Sequence, residues 1–257
     1  MTPPVSEPAS RRLAQILRND IAHGVLAPGD KLPSERALAE EHEVARNTAR
    51  EAMRLLSEQG LVTAEHGRGV FVRDKPRLMR FGQQRYARTL RESTSKSPYR
   101  AEVEAQGRMP RVECTSIERI TPPDEIAERL DIDPNSETVV RRENWYYADE
   151  EPTQVGVTYS PWHVVEGTPV ADSAQMGKGS LYARFEEKGY PITSIREEVS
   201  ARMPTPDEVA GLRIPDGVPV IDLTHTGYDD QGRPFEVTAF VMRADHNALD
   251  YRMPVED

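Results

Sequence analysis

One pentapeptide written twice constrains this chain more than any other feature. Pro123-Asp124-Glu125-Ile126-Ala127 returns as Pro206-Asp207-Glu208-Val209-Ala210, and Leu130-Asp131-Ile132 is answered by Leu212-Arg213-Ile214 with one residue dropped between. Self-similarity of this kind marks a repeated supersecondary unit. A strand-like run follows each copy (138–147 and 218–228), then a turn (Ala148-Asp149-Glu150-Glu151-Pro152 and Asp229-Asp230-Gln231-Gly232-Arg233-Pro234), then another run. The C-terminal part is therefore expected to hold two strand–helix–strand–turn–strand copies. Residues 163–190, with a helix at 181–188, are inserted between them. Such an order predicts an α+β domain with an antiparallel sheet and helices on one side.

The N-terminal third follows another period. After nine loose residues rich in Pro and Ser, the positions Leu13, Ile16, Leu17 and Ile21 have helical spacing, closed by His23-Gly24 and Pro28-Gly29-Asp30. Ser34 caps a second helix that turns Leu38 and Ala39 inward. A third helix, 46–59, places Ala49, Ala52, Met53 and Leu56 on its core face and stops at Gly60. Leu61-Val62-Thr63 and Val70-Phe71-Val72 read as two short strands joined by a turn containing Gly67-Arg68-Gly69. Three helices and a β-hairpin make a winged helix-turn-helix, expected over 10–76. Residues 77–98, basic and ending in Ser, Thr, Lys and Pro, read as a linker, which leaves 99–257 to the C-terminal domain.

A net charge of -10 over 257 residues argues against a polyanionic partner until it is divided along the chain. Residues 1–76 are neutral, residues 77–111 carry +6 and residues 112–257 carry -16. The N-terminal third is thus free to face DNA. An apolar share of 37% with 30% charged residues fits a globular chain. No apolar run reaches the length of a membrane span, and the first dozen residues have no apolar signal core, so a cytoplasmic chain with no membrane partner is expected. The single cysteine, Cys114, leaves no internal disulfide to form and reads as a small buried hydrophobe.

In a helix-turn-helix the second helix of the pair enters the major groove, here 46–59. Arg46 and Arg50 lie at i and i+4 on one face, flanked by Asn47 and Arg54 and opposite the apolar side. Arginine can grip guanine bidentately and asparagine suits adenine. Arg36, early in the preceding helix, is placed to reach the same groove. Lys31, Ser34 and Thr48 suit phosphate contacts, and Arg68 at the hairpin tip, between Gly67 and Gly69, suits a narrow minor groove. Two arginines at this spacing also occur on solvated helix faces; the three helices, the hairpin and the basic tip together favour recognition.

These residues resemble the DNA-binding domain of the GntR family of bacterial regulators. The match is carried over 12–73 by Pro28-Gly29-Asp30-Lys31-Leu32-Pro33-Ser34-Glu35-Arg36, Leu38-Ala39, Arg46-Asn47-Thr48-Ala49-Arg50-Glu51-Ala52, Leu55, Gly60-Leu61-Val62 and Gly67-Arg68-Gly69-Val70-Phe71-Val72. The resemblance implies that Arg36, Arg46 and Arg50 contact bases and that the tip at 67–69 enters the minor groove. Ala45 departs from the pattern, since the family often has serine or threonine there.

The C-terminal part is similar to the UTRA ligand-sensing domain of the HutC subfamily, which shares its fold with chorismate lyase. Gly107, the Pro123-Asp124-Glu125 helix, the Ala148–Pro152 turn, Thr158-Tyr159-Ser160-Pro161 and Gly232-Arg233-Pro234-Phe235-Glu236 carry that likeness. In phosphosugar-sensing relatives two arginines hold the phosphate where this chain has Asn144 and Tyr146, which argues against a sugar phosphate. Strand alternation puts Arg142, Asn144 and Tyr146 on one face. Glu236 matches a ligand-contacting glutamate, and Tyr99, Arg100, Thr158 and Tyr159 fall near other pocket positions; each also reads as an ordinary sheet or helix residue. The expected effector has apolar or aromatic character and a polar end read by Arg142 and Glu236.

No catalytic or metal-ligand constellation and no cofactor motif is found. Gly67-Arg68-Gly69 lacks the third glycine of a dinucleotide loop, and Gly177-Lys178-Gly179-Ser180 lacks the spacing of a P-loop. The six histidines (His23, His42, His66, His163, His225 and His246) have no ligand spacing. His225 and Glu236 can meet across adjacent strands, although a satisfied core histidine accounts for the former equally well. The sequence thus predicts a homodimeric transcription regulator, a repressor that a small-molecule effector releases from a pseudo-palindromic operator in double-stranded DNA. Two alternatives remain: an architectural DNA-binding protein without a ligand, and an enzyme with a lyase-like C-terminal domain.

Overall fold

A computed structural model of the chain describes residues 8–65, 67–73, 78–82, 84–177 and 180–253. Most of the expected N-terminal tail, His66, and Lys178 and Gly179 of the 177–180 stretch lie outside the described residues. The fold divides into two compact units, Met1–Arg77 with Met203–Pro219 and Leu78–Arg202 with Val220–Asp257.

The first unit opens with α1 (Ala9–Ala22), α2 (Glu35–Glu41) and α3 (Arg46–Glu58), followed by an antiparallel hairpin of β1 (Val62–Glu65) and β2 (Gly69–Val72). Leu13, Ala14 and Leu17 of α1 meet Leu38 of α2 and Ala49, Ala52 and Leu56 of α3, with Leu32, Val62 and Val72 closing the core. The alanines let the helices approach closely, and each fully buried leucine contributes about 1.5–3 kcal/mol. Ile16, whose spacing placed it with this core, instead lies 44% exposed. Ser34 caps α2, accepting a hydrogen bond from Ala37 N at 3.2 Å. Ala45 at the start of α3 makes no side-chain cap.

The second unit is built on a six-stranded antiparallel sheet. Its first copy runs β4 (Pro110–Ile120), α6 (Asp124–Leu130), β5 (Val139–Ala148), β6 (Glu151–Pro161); its second contributes β7 (Ser194–Arg202), β8 (Val220–Tyr228) and β9 (Pro234–Arg243) to the sheet, in the order β4-β5-β6-β9-β8-β7, while the helix of the second copy, α10 (Pro206–Leu212), is in the segment grouped with the first unit. The copies join through β6 and β9, so the repeat read in the sequence is an internal pseudo-twofold of the sheet. Even the helix ends agree: Asp131 and Arg213 each leave the helix in the left-handed region, at φ 52° and 53°. Between the copies lie α7 (Trp162–Val165), α8 (Pro169–Asp172) and α9 (Ser180–Glu187).

The stretch expected to be a solvated linker is instead part of this unit. It contains β3 (Leu78–Phe81), a 3-10 turn at Gln84–Tyr86, α4 (Arg88–Thr94) and the start of α5 (Pro98–Ala105). β3 pairs in parallel with β10 (Asn247–Asp250), Leu78 opposite Asn247. Two of its basic residues are internal: Arg80 and Arg85 are buried, 2.5 Å from Glu197 and 3.3 Å from Glu102 respectively. A charge count cannot distinguish a cation solvated by water from one neutralised inside a fold.

Candidate functional site

The first unit presents its cations on one side of α3. Arg46, Asn47 and Arg50 are exposed, Thr48 is half-buried, and Arg36 and Ser34 are exposed at the start of α2. A residue that the sequence reading passed over organises this surface. Glu35 takes Arg50 at two points, Nε to Oε1 at 2.9 Å and Nη2 to Oε2 at 3.0 Å, and also accepts from Arg46 Nε at 3.0 Å. Hydrogen bonding to Arg50 leads the effects that hold the Glu35 carboxyl below its ordinary value. The contact takes the Nε–Nη2 side of Arg50 and the Nε of Arg46, and a guanidinium held in this way still has its Nη1–Nη2 end to offer guanine O6 and N7. Arg54, expected beside them, is committed along the helix to Glu51 at 2.7 Å and to Glu58.

The hairpin tip supplies a second basic point. Gly67 and Gly69 have φ of 74° and 124°, conformations that L side chains rarely adopt. Arg68 lies over the Phe71 ring at 5.4 Å and pairs with Glu65, and Lys31 approaches the same ring at 5.9 Å. Both cations are exposed beside the hairpin.

In the second unit the inner sheet face carries a polar row. The register sets Ile117, Arg142, Thr158, Thr238, His225 and Glu197 side by side across all six strands. His225 is fully buried, its Nδ1 3.3 Å from Glu197 Oε1 and its Nε2 3.2 Å from Glu236 Oε2, so the expected meeting of His225 and Glu236 occurs. Tyr86 and Tyr182 hydroxyls reach the two ring nitrogens at 3.2 and 3.3 Å, and Tyr251 donates to Glu197 Oε2 at 2.6 Å. Burial alone pushes the His225 imidazole down, but Glu236 and then Glu197 outweigh it and raise its pKa above the ordinary value. Burial likewise works against the Glu197 anion, yet His225, Arg80 and Tyr251 hold it well below the usual carboxylate range.

Several residues expected in an effector pocket share this region. Arg142 and Thr158 are buried on the row and Glu236 is buried beside it, two residues along β9 from Thr238; Tyr146 stacks edge-on to Tyr99 at 4.9 Å, and Asn144 sits between Arg142 and Tyr146 on β5. The Tyr99 hydroxyl bonds Thr153 Oγ1 at 2.9 Å. Arg100 and Tyr159 are not brought to it. Arg100 is exposed on α5, and Tyr159, next to the inward Thr158, lines a groove of about 560 Å³ on the outer face with Ile126 and Arg129. Neighbours on a strand face opposite ways, so both could not enter one pocket. The inner face is tightly closed nearby: a cavity lined by Arg80, Arg85, Tyr99 and Gln154 holds about 10 Å³, room for a single water. Arg80, Tyr86, Glu197 and Tyr182 were not anticipated; strand parity from Glu236 could have flagged only the sheet member, Glu197.

A three-helix head with a basic wing, followed in one chain by an antiparallel sheet with a buried polar row, defines a DNA-binding regulator that carries its own ligand-sensing domain. Residues 9–72 match the bacterial regulatory proteins of the gntR family, and residues 105–247 match the UTRA domain. The chain belongs to the GntR family of bacterial regulators, in its UTRA-bearing form, and is a sequence-specific DNA-binding transcriptional regulator. It is 28% identical to the HTH-type transcriptional regulator SCO4628 of Streptomyces coelicolor, over 97% of this chain and 94% of the relative. It is also 28% identical to the mannosyl-D-glycerate transport/metabolism system repressor MngR of Escherichia coli, over 96% and 94%. A solved GntR-family regulator superposes with a TM-score of 0.65 at 29% identity, covering 97% of this chain and 99% of that one. Among the described residues no helix is long and apolar enough to cross a membrane.

Proposed function

We propose that this chain is a HutC-subfamily repressor that binds a pseudo-palindromic operator as a homodimer and leaves it when a small molecule binds the C-terminal unit. The observation that carries the reading is the pair Arg46 and Arg50, displayed together on the exposed side of α3 and held by one carboxylate. Arg36, Asn47 and the wing tip at Arg68 complete the DNA-reading set, with Lys31, Ser34 and Thr48 on phosphates. The head spans 10–76, and the effector-binding and dimerisation domain begins at Leu78, where β3 joins the second unit. A twofold dimer suits a twofold site. Repression is supported by the likeness to MngR, whose name describes a repressor. The effector lowers operator affinity by as much as it prefers the released conformation. The protein works on cytoplasmic DNA by binding and release, without turnover.

The test is selection of DNA from a random pool by wild type and by an Arg46→Ala/Arg50→Ala variant. Wild type is expected to enrich a twofold-symmetric site that the variant does not. Equal enrichment by both proteins would show that α3 does not read the bases.

A further inference from the structure

β6 alternates the wrong way for a strand with one wet face. Its inward side chains Gln154, Thr158 and Ser160 are polar and buried, whereas Val155, Val157 and Tyr159 point outward and are half-buried. β9 beside it turns Val237, Ala239 and Val241 to the same outer side. An antiparallel sheet that meets water on one face carries its apolar residues on the other. Here the register sets Trp145, Val155 and Val241 side by side across three strands, with Val157 beside Ala239 in the next outward row.

The two faces are covered unequally. On the inner one Ile117 and Val140 pack with Val165 of α7, Val170 of α8 and Phe185 of α9. On the outer one α6 lays Ile126 and Leu130 against Val139 and Val237, at one end of the strands. In α10, grouped with the first unit, Val209 and Ala210 are the mates of the buried Ile126 and Ala127, yet both are exposed. The apolar stripe from Trp145 to Val241 is therefore left half-buried by its strand neighbours.

The charges that border this stripe are paired within the chain. Arg141 meets Glu143 at 2.7 Å, Arg202 meets Asp222 at 2.7 Å, and Arg129 reaches Glu198. Trp145 Nε1 donates to Glu143 Oε1 at 3.0 Å, so the indole is held with its polar atom satisfied. An apolar centre inside a polar rim is the anatomy of a protein interface, and tryptophan is among its favoured anchors. Because the rim is neutralised pair by pair, an identical face can meet it without like charges in opposition. The size also fits. Six strands about 4.8 Å apart and about ten residues long make a face of roughly 900 Å², of which α6 takes about 100 Å². The remainder, roughly 800 Å², is what each partner buries in a standard interface, and sheets stack face to face about 10 Å apart.

We propose that the outer face of the sheet, centred on Trp145, Val155, Val157 and Val241, is the surface through which two copies of this chain join. The proposal rests on the homodimer reading above and names the face that makes the dimer.

Sedimentation velocity of the full chain at micromolar concentration tests this. Val155→Lys/Val241→Lys places two ammonium groups, neighbours in the register, at the centre of the face. Wild type is expected to sediment as a dimer and the double variant as a folded monomer. Val25→Lys, at an exposed valine of the head, is expected to remain dimeric. Thr224→Arg, at a polar position of the same face opposite Ala239, is the milder change if the double variant does not fold. It is expected to raise the dimer dissociation constant at least about tenfold. Dimers of wild-type affinity in the folded face variants would overturn the assignment and leave the homodimer reading standing. A monomeric wild type would sink both.

Discussion

Glu35 and Arg50 meet at two points across the α2–α3 turn, Nε to Oε1 and Nη2 to Oε2, at 2.9 and 3.0 Å. The guanidinium is therefore oriented before DNA arrives, with its Nη1–Nη2 end left to pair with guanine. Glu35→Gln keeps the shape but loses the charge that holds both arginines. The ratio of specific to non-specific DNA affinity is expected to fall about tenfold, while non-specific binding strengthens as a negative charge leaves the surface. Competition binding with an operator and a scrambled duplex measures the ratio; an unchanged ratio would refute a positioning role.

Gly69 is the wing position least able to accept a side chain. Its φ of 124° lies outside the comfortable range of L residues, and a Cβ there would stand 2.6 Å from Lys31 Cε. The lysine end can move, but the backbone strain stays, at about 1–2 kcal/mol. Gly69→Ala is expected to weaken operator binding by roughly tenfold, read by fluorescence anisotropy. Wild-type affinity in this variant would mean that the tip does not contact DNA.

The β5–β6 turn carries strain that one substitution removes. Asp149 and Glu150 have φ of 51° and 64°, without a glycine at either position. Glycine at the second position of such a turn relieves that cost. Glu150→Gly is expected to stabilise the protein by about 0.5–1 kcal/mol, even after loss of the exposed contact with Arg111. The urea midpoint reports the gain, and a midpoint lower than wild type contradicts it.

The His225 cluster makes stability depend on pH in a fixed direction. The imidazole pKa is raised in the fold, so its contribution is complete below about 6.5 and is lost as pH climbs through the raised value. The Glu197 pKa is depressed, so its contribution is present above about 4.3 and is lost on acidification through the depressed value. Calorimetry between pH 5 and pH 9 should show the melting temperature declining above neutrality, with a shallower decline in His225→Gln. Identical slopes in the two proteins would place the dependence elsewhere.

What could be read from the sequence was what the chain says locally. The two Pro-Asp-Glu helices, the Ser34 cap, the apolar face of α3 and the glycines of the wing each depend on residues within a few positions of one another. The pairing of β3 with β10 does not, and neither four-residue strand declares its partner. The same distance hid the second site: Arg80 looked like tether charge because Glu197, which neutralises it, lies in another strand. Tyr159 was misplaced by reading a likeness along the chain where parity along the strand decides the face. Glu35 escaped notice because its meaning lies in a contact between two helices.

The parallel pair of β3 and β10 also sets an order of events during synthesis. Leu78 leaves the ribosome soon after the winged head, but its strand partner, Asn247, is added only after the whole sheet sequence between them. At about 5–20 residues per second that delay is on the order of ten to thirty seconds. The three helices and the hairpin, whose core draws only on residues between Leu13 and Val72, can fold in that interval while β3, with Arg80 on it, still has an open edge. A nascent chain thus owns its DNA-binding surface before it owns a closed sensor, and newly made protein acquires the two abilities in that sequence.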